Sequence, residues 1–177
     1  LLLYAPAISP RLQYICNFIF EELMGVDFSV TTLMDDFKAF SGVKINYSDK
    51  AVAPDCFSIG KHNLLFENDI RQTDVDCFFV NNYKAFFKTD KADFPFDIFA
   101  ASFYLLSRYE EYLPHEKDMY GRYAHENSLA FREGFLHLPL INIWVKHLIE
   151  LLQKKFPALG FPQNASTFSF LPTYDID

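Results

Sequence analysis

Residues 98–113 read as one amphipathic helix, and no other stretch restricts the fold as tightly. Phe99, Phe103, Leu106 and Leu113 recur at spacings of three to four or multiples of them, the 3.6-residue period that lines one helix face. Asp97 stands just before it, where a carboxylate accepts a backbone N–H left unpaired by the first turn, and Pro114 closes it. On the polar side Ser107, Arg108, Glu110 and Glu111 crowd together, with Tyr104, Tyr109 and Tyr112 between them. A solvated face needs only Lys and Glu, so these tyrosines predict a half-buried polar seam. In its structural form Arg108 pairs with a carboxylate of this helix or of the following loop, and the tyrosines fill the edge of the core. That form makes Arg108 a stability residue.

The rest of the chain supplies a sheet for this helix to cover. Residues 1–5 form a short apolar run closed by Pro6 and Pro10, a first strand. Leu12, Ile15, Cys16, Ile19 and Leu23 then mark a helix over residues 11–24 that Gly25 stops, and residues 26–32 read as a strand. This is a β-α-β opening. Val43, Ile45 and Tyr47 alternate with Lys44 and Asn46 as a strand with one apolar and one polar face. Residues 57–60, 64–66 and 75–80 are further short apolar runs taken as strands, and residues 81–93 as a lysine-bearing connection. A last helix is predicted from Pro139 to Phe156 by Leu140, Ile141, Trp144, Val145, Leu148, Leu151 and Leu152, with Lys154 and Lys155 at its cation-favouring end. The expected fold is α/β, a mixed sheet of short strands with three main helices packed on it. Residues 1–160 form the domain, and the Pro-, Gly- and Asn-containing stretch after the last helix marks its boundary.

Half of the 177 residues are hydrophobic and 18% aromatic, ample for a sizeable core. A formal net charge of −7 with no basic run argues against nucleic acid as a partner. Cys16, Cys56 and Cys77 are odd in number, far apart and set among apolar neighbours, which reads as buried free thiols in a reducing compartment. No run approaches the roughly 18 apolar residues of a membrane span, and the opening LLLYAPAI lacks the basic start of a signal peptide. A cytoplasmic location is expected.

Two places carry residues capable of chemistry. The loop over residues 114–127 brings His115 and His125 close in sequence to Glu110, Glu111 and Glu116. These groups are candidates for metal ligands or an acid–base pair, or for a hydrogen-bonded structural loop, and their spacing matches no H-E-x-x-H signature. The closing segment TFSFLPTYDID alternates like a strand and puts Asp175 and Asp177 on one side. Carboxylates two residues apart on a strand lie about 6.5 to 7 Å apart, close enough to share one metal ion or to divide into ligand and general base.

The run DIFAASFYLLSRYEEYLPHEKDMYGRYAHENSLAFREGFLHLPLINIW, followed by a helix and then LPTYDID, resembles the N-terminal region of bacterial polysaccharide deacetylase-like proteins. In that family a domain of uncharacterised function precedes a catalytic domain that opens with a T-[HFY]-D-x-D strand. The resemblance implies a distorted β/α barrel, a divalent metal such as zinc, and removal of acetyl groups from N-acetylated sugars. Asp175 matches the family's base. Ile176 stands where the better-known members carry a second Asp, and Asp177 takes the metal-ligand role one place later. The family's metal-binding histidines are absent from these residues, so residues 161–177 are expected to be a linker and the first strand of a truncated catalytic domain. The expected partners are the chain's own C-terminal catalytic domain and a polysaccharide substrate, with no cofactor held by residues 1–160. Three roles follow: a non-catalytic accessory domain of a carbohydrate deacetylase; a carbohydrate-recognition module stacking sugars on Tyr104, Tyr109 and Tyr120 beside Arg108, Glu110 and Glu111; or an independent hydrolase using residues 108–126.

Overall fold

The computed structural model describes residues 1–158, 160 and 170–173. Strand β1 (Leu2–Tyr4) lies between β2 (Ser29–Thr31) and β3 (Lys44–Tyr47), and β4 (Phe57–Ile59) pairs with β3, giving a four-stranded sheet in the order β2-β1-β3-β4. All three pairings are parallel. The β-α-β opening is present as expected. Its helix, α1 (Pro10–Cys16), starts where Ser9 accepts the N–H of Leu12 with Pro10 in the first turn. It continues as a wider π-helical segment, Asn17–Leu23, before Gly25 turns the chain at φ 66°.

Parallel sheets have to be covered on both faces. Leu3, Ile45, Tyr47, Phe57 and Ile59 enter the main core with α1, while Leu2 and Tyr4 pack on the opposite face against Phe37, Val52 and Cys56. Phe37 comes from α2 (Met34–Ala39), a short helix that the sequence pattern did not announce. The second cover explains why β3 does not keep a wet face. Lys44 and Asn46 are only 4% and 3% exposed, Lys44 reaching Asp55 at 2.5 Å and Asn46 donating to the carbonyl of Lys50 at 2.7 Å.

Residues 64–66 are not a strand. They belong to a 3₁₀ turn, Asn63–Phe66, capped by His62 and held by Arg11, which donates to the carbonyl of Leu64 at 2.8 Å. Residues 81–93 are not a plain connection either. β5 (Phe78–Val80) folds back on β6 (Tyr83–Ala85) as an antiparallel hairpin, with Asn81 and Asn82 both at positive φ, the backbone of a tight two-residue turn. Parallel and antiparallel pairings therefore fall in two separate sheets.

Helix α3 (Ile98–Leu106) is shorter than the periodicity predicts. Ser107 donates back to the carbonyl of Phe103 at 2.7 Å and Arg108 takes a left-handed conformation, φ 50°, after which Tyr109–Tyr112 form a separate 3₁₀ turn. The break turns the Tyr109 ring inward, 5.4 Å from that of Tyr104, and lets its hydroxyl accept the N–H of Arg71 at 2.9 Å. Four residues, Leu129–Arg132, form the short helix α4. The last helix, α5 (Leu140–Lys155), is as expected; Trp144 packs on Phe96 and Phe86 and donates its indole N–H to the carbonyl of Lys84. The fold is α/β, with three α-helices of seven or more residues among the described residues. None of the described helices is long and apolar enough to cross a membrane.

Asp97 ties these parts together. The carboxylate is completely buried; Oδ1 accepts the N–H of Ala100 at 2.9 Å, capping α3, and Oδ2 accepts both the Tyr47 hydroxyl and the His62 N–H at 2.6 Å. Burial pushes its carboxyl from an ordinary 3.8 up to about 6, against the opposing pull of those three donors. A carboxyl whose folded-state pKa lies above its unfolded value contributes stability that is fully present below the unfolded pKa and lost as the pH rises through the folded one. The stability advantage of the natural protein over Asp97→Asn is therefore expected to be greater at about pH 4 than at about pH 7, by up to about 3 kcal/mol. His62, held low by burial, works in the opposite direction but is present in both proteins. Urea unfolding across this range checks it, and a pH-independent difference contradicts the assignment.

Candidate functional site

The end of α3, the turn after it, residues 113–127 and α4 surround a polar cleft of about 660 Å³ whose far wall is residues 72–76. Glu110 sits at its base. It occupies that position because the left-handed Arg108 redirects the chain, and because Glu110 Oε1 accepts the N–H of Leu129 at 2.8 Å, satisfying the start of α4. Ser128 accepts the N–H of Phe131 in the same turn, and Arg132 on α4 comes within 3.6 Å of Glu110. Burial raises the Glu110 carboxyl above its ordinary range, opposed by these partners. The hydroxyls of Tyr104 and Tyr123 are shifted upward, by burial first and by the neighbouring Glu110 charge second. The Tyr123 hydroxyl is buried without a hydrogen-bond partner among the described residues.

The histidines of this region do different things. His115 bonds through Nδ1 to the carbonyl of Leu113 at 2.8 Å, which fixes the proton on that nitrogen, and its ring meets Tyr123 edge-on at 4.9 Å. It lines the cleft with Glu110. His125 is largely exposed, 3.3 Å from Glu126 and edge-on to Phe131. Arg108, 70% exposed, pairs with Glu111. Glu116 contributes its backbone, bonded on both sides by Asn127. Of the residues read as a possible ligand or structural polar cluster, Arg108, Glu110, Glu111 and His125 line one small pocket with Tyr123, while His115 faces the larger cleft with Glu110; among the described residues no three His, Cys, Asp or Glu side chains are placed to hold a metal ion.

Tyr104 and Tyr109 are 4% and 2% exposed and belong to the core, so neither has a face free to stack on a sugar; Tyr112 and Tyr120 do. Asp175 and Asp177 lie outside the described residues. Sequence reasoning missed Arg132 and Tyr123 in the cleft and the Asp97–Tyr47–His62 junction beneath α3. Asp97 was legible as a cap, but nothing local announces that Tyr47, 50 residues away, donates to it.

A family model described as a family of unknown function, DUF7033, matches residues 1–157. The chain belongs to that family. The match runs two residues past the end of α5, so the DUF7033 region contains every helix and strand described above. No curated protein and no solved structure matches the chain.

Within the DUF7033 fold the seam around residue 110 braces α4 and the following loop, and its weight falls on Glu110 rather than on Arg108. Glu110→Ala leaves the Leu129 N–H and the Arg132 guanidinium without their acceptor and is expected to cost about 1–3 kcal/mol. Arg108→Ala removes a pair whose arginine is exposed and whose glutamate is half-buried, and is expected to change stability by about 1 kcal/mol at most. Denaturant midpoints of the two variants test the ranking, and the reverse order overturns it.

Proposed function

We propose that residues 1–160 are a non-catalytic accessory domain standing ahead of a polysaccharide deacetylase-like catalytic domain, with residues 161–177 as the linker and that domain's first strand. The observation that supports a supporting rather than a catalytic role is the way the polar groups of residues 108–132 are used. Glu110 caps α4, Arg108 takes Glu111, His115 takes the Leu113 carbonyl and Asn127 staples the loop to residue 116. Each of these four groups is held by a local partner rather than left free, as a general acid or base has to be.

The link to deacetylation rests on the resemblance of residues 97–144 and of the LPTYDID segment. In this reading the parent protein acts in the cytoplasm, removing acetyl groups from N-acetylated sugars. Asp175 is the base of the catalytic domain and Asp177 a ligand of its divalent metal. In this reading the accessory domain contributes packing and positioning to the catalytic domain.

A carbohydrate-recognition role draws on one feature, the 660 Å³ cleft with an unpartnered Tyr123 hydroxyl. The exposed Tyr112 and Tyr120 do not line that cleft, and Tyr104 and Tyr109 are committed to the core, which makes this the weaker reading.

Metal-dependent acetate release from N-acetylated oligosaccharides separates these readings. The 177-residue chain is expected to be inactive and the chain extended through the following domain active, with Asp175→Asn lowering the extended chain's kcat by about 10²- to 10⁴-fold. Acetate release by the 177-residue chain overturns the accessory role; an inactive extended chain overturns the link to deacetylation.

A further inference from the structure

A basin of about 640 Å³, sharing no lining residue with the Glu110 cleft, lies over the edge strand β4, between the β3–β4 connection and residues 88–93. Five lysines line it, Lys50, Lys61, Lys88, Lys91 and Lys155, against three carboxylates, Asp49, Asp90 and Asp93. In a chain of net charge −7 this is a local reversal of sign.

The pairing within the basin is uneven. Asp49 is 3.2 Å from Lys61, while Asp93 takes Lys155 at 2.9 Å together with the backbone N–H and hydroxyl of Ser58. Lys50, Lys88 and Lys91 make no ion pair among the described residues, and Asp90 is the one lining carboxylate there without a cation. Three uncommitted ammonium groups thus meet one uncommitted carboxylate on a concave surface, where low-dielectric walls concentrate the field.

The backbone carrying these lysines is fixed from within. Asn46, buried in β3, holds the Lys50 carbonyl at 2.7 Å. Residue 88 bridges to residue 96, Thr89 bonds Pro95 and Phe94, and the Thr89 side chain closes on Gly60 so tightly that a Cβ there would lie 2.8 Å from it. Phe87 and Lys91 both adopt left-handed φ angles, 58° and 60°, which turn the segment across the end of β4. Lys88 is steadied further by the Phe78 ring, 6.0 Å from its ammonium.

We propose that this basin is a binding site for a small polyanion bearing phosphate or carboxylate groups, with Lys50, Lys88 and Lys91 as its cationic contacts. The ammonium groups act as point charges that also donate hydrogen bonds to the oxyanion. The volume exceeds what a single inorganic phosphate fills, which favours a ligand with two or more anionic groups. This site is separate from the Glu110 cleft and does not depend on the accessory role.

Thermal unfolding of the 177-residue chain with pyrophosphate or citrate, each set against sodium chloride of equal ionic strength, tests the proposal. A ligand that binds the folded chain raises the midpoint by mass action. Pyrophosphate, citrate or both are expected to raise it above the chloride control, a rise with one alone assigning the phosphate or the carboxylate class. The triple variant Lys50→Gln, Lys88→Gln, Lys91→Gln is expected to lose at least about tenfold in affinity by calorimetric titration, while its midpoint without ligand stays unchanged because all three side chains are exposed. Replacing the same three residues by Arg keeps the charge and is expected to retain binding, which separates loss of cations from local distortion. No rise with either anion, or an equal rise in the natural and triple-Gln proteins, overturns the proposal.

Discussion

Asp97 is the constraint on which the rest of the structure depends. A carboxylate removed from water is tolerated only when its oxygens are occupied, and here three donors come from three different parts of the chain. Ala100 belongs to the first turn of α3, Tyr47 to the end of β3, and His62 to the segment that leads into the 3₁₀ turn under α1. Their convergence sets where α3 begins and fixes its N-terminus to the sheet. Around it the aromatic core closes: Tyr47 lies edge-on to Phe99 and stacks beside Phe66, and Phe99 meets Phe20 of the π-helical segment. Cys16 lies in the same field, its thiol pushed up by burial first and by the Asp97 charge second, and so is kept as an unreactive neutral group.

The sheet obeys a second constraint, the covering of both its faces. Three parallel pairings require crossovers, and the crossovers deliver α1 to one face and α2 to the other. With two apolar covers, polar residues of the central strands are enclosed rather than solvated, and each finds a partner. Lys44 is matched by Asp55 and a Phe37 ring, Asn46 by Ser48 and the Lys50 carbonyl. This enclosed polar layer connects the core to the lysine basin, because Asn46 holds the very loop that carries Lys50.

The seam after α3 has a different logic. A helix continued through Tyr109 would leave its ring on the helix face; the left-handed Arg108 instead folds Tyr109 against Tyr104 and sends Glu110 to the start of α4. The exchange gives up helical hydrogen bonds at one turn and gains a buried aromatic pair and a capped helix. Residues that look catalytic when read in line, two histidines among glutamates, are thereby distributed to separate local tasks. The accessory role proposed for residues 1–160 rests on that distribution.

What the sequence determined by itself was whatever is carried by neighbours along the chain. The 3.6-residue periods of α1 and α5, the cap at Asp97, the stop at Gly25 and the parallel β-α-β opening all depend on contacts within a few residues or on one apolar face, and each was legible. The hairpin turn at Asn81 and Asn82 was legible in principle, since paired asparagines tolerate positive φ, but an Asn-Asn pair is a weaker signal than Asn-Gly. Only the tertiary structure decided the rest. The early end of α3, the second cover over Lys44 and Asn46, the three donors on Asp97 and the gathering of lysines from residues 50, 61, 88, 91 and 155 all depend on groups tens of residues apart in sequence. Burial and charge are properties of what lies nearby in space, and the chain specifies that only once the whole sheet and its helices have closed around it.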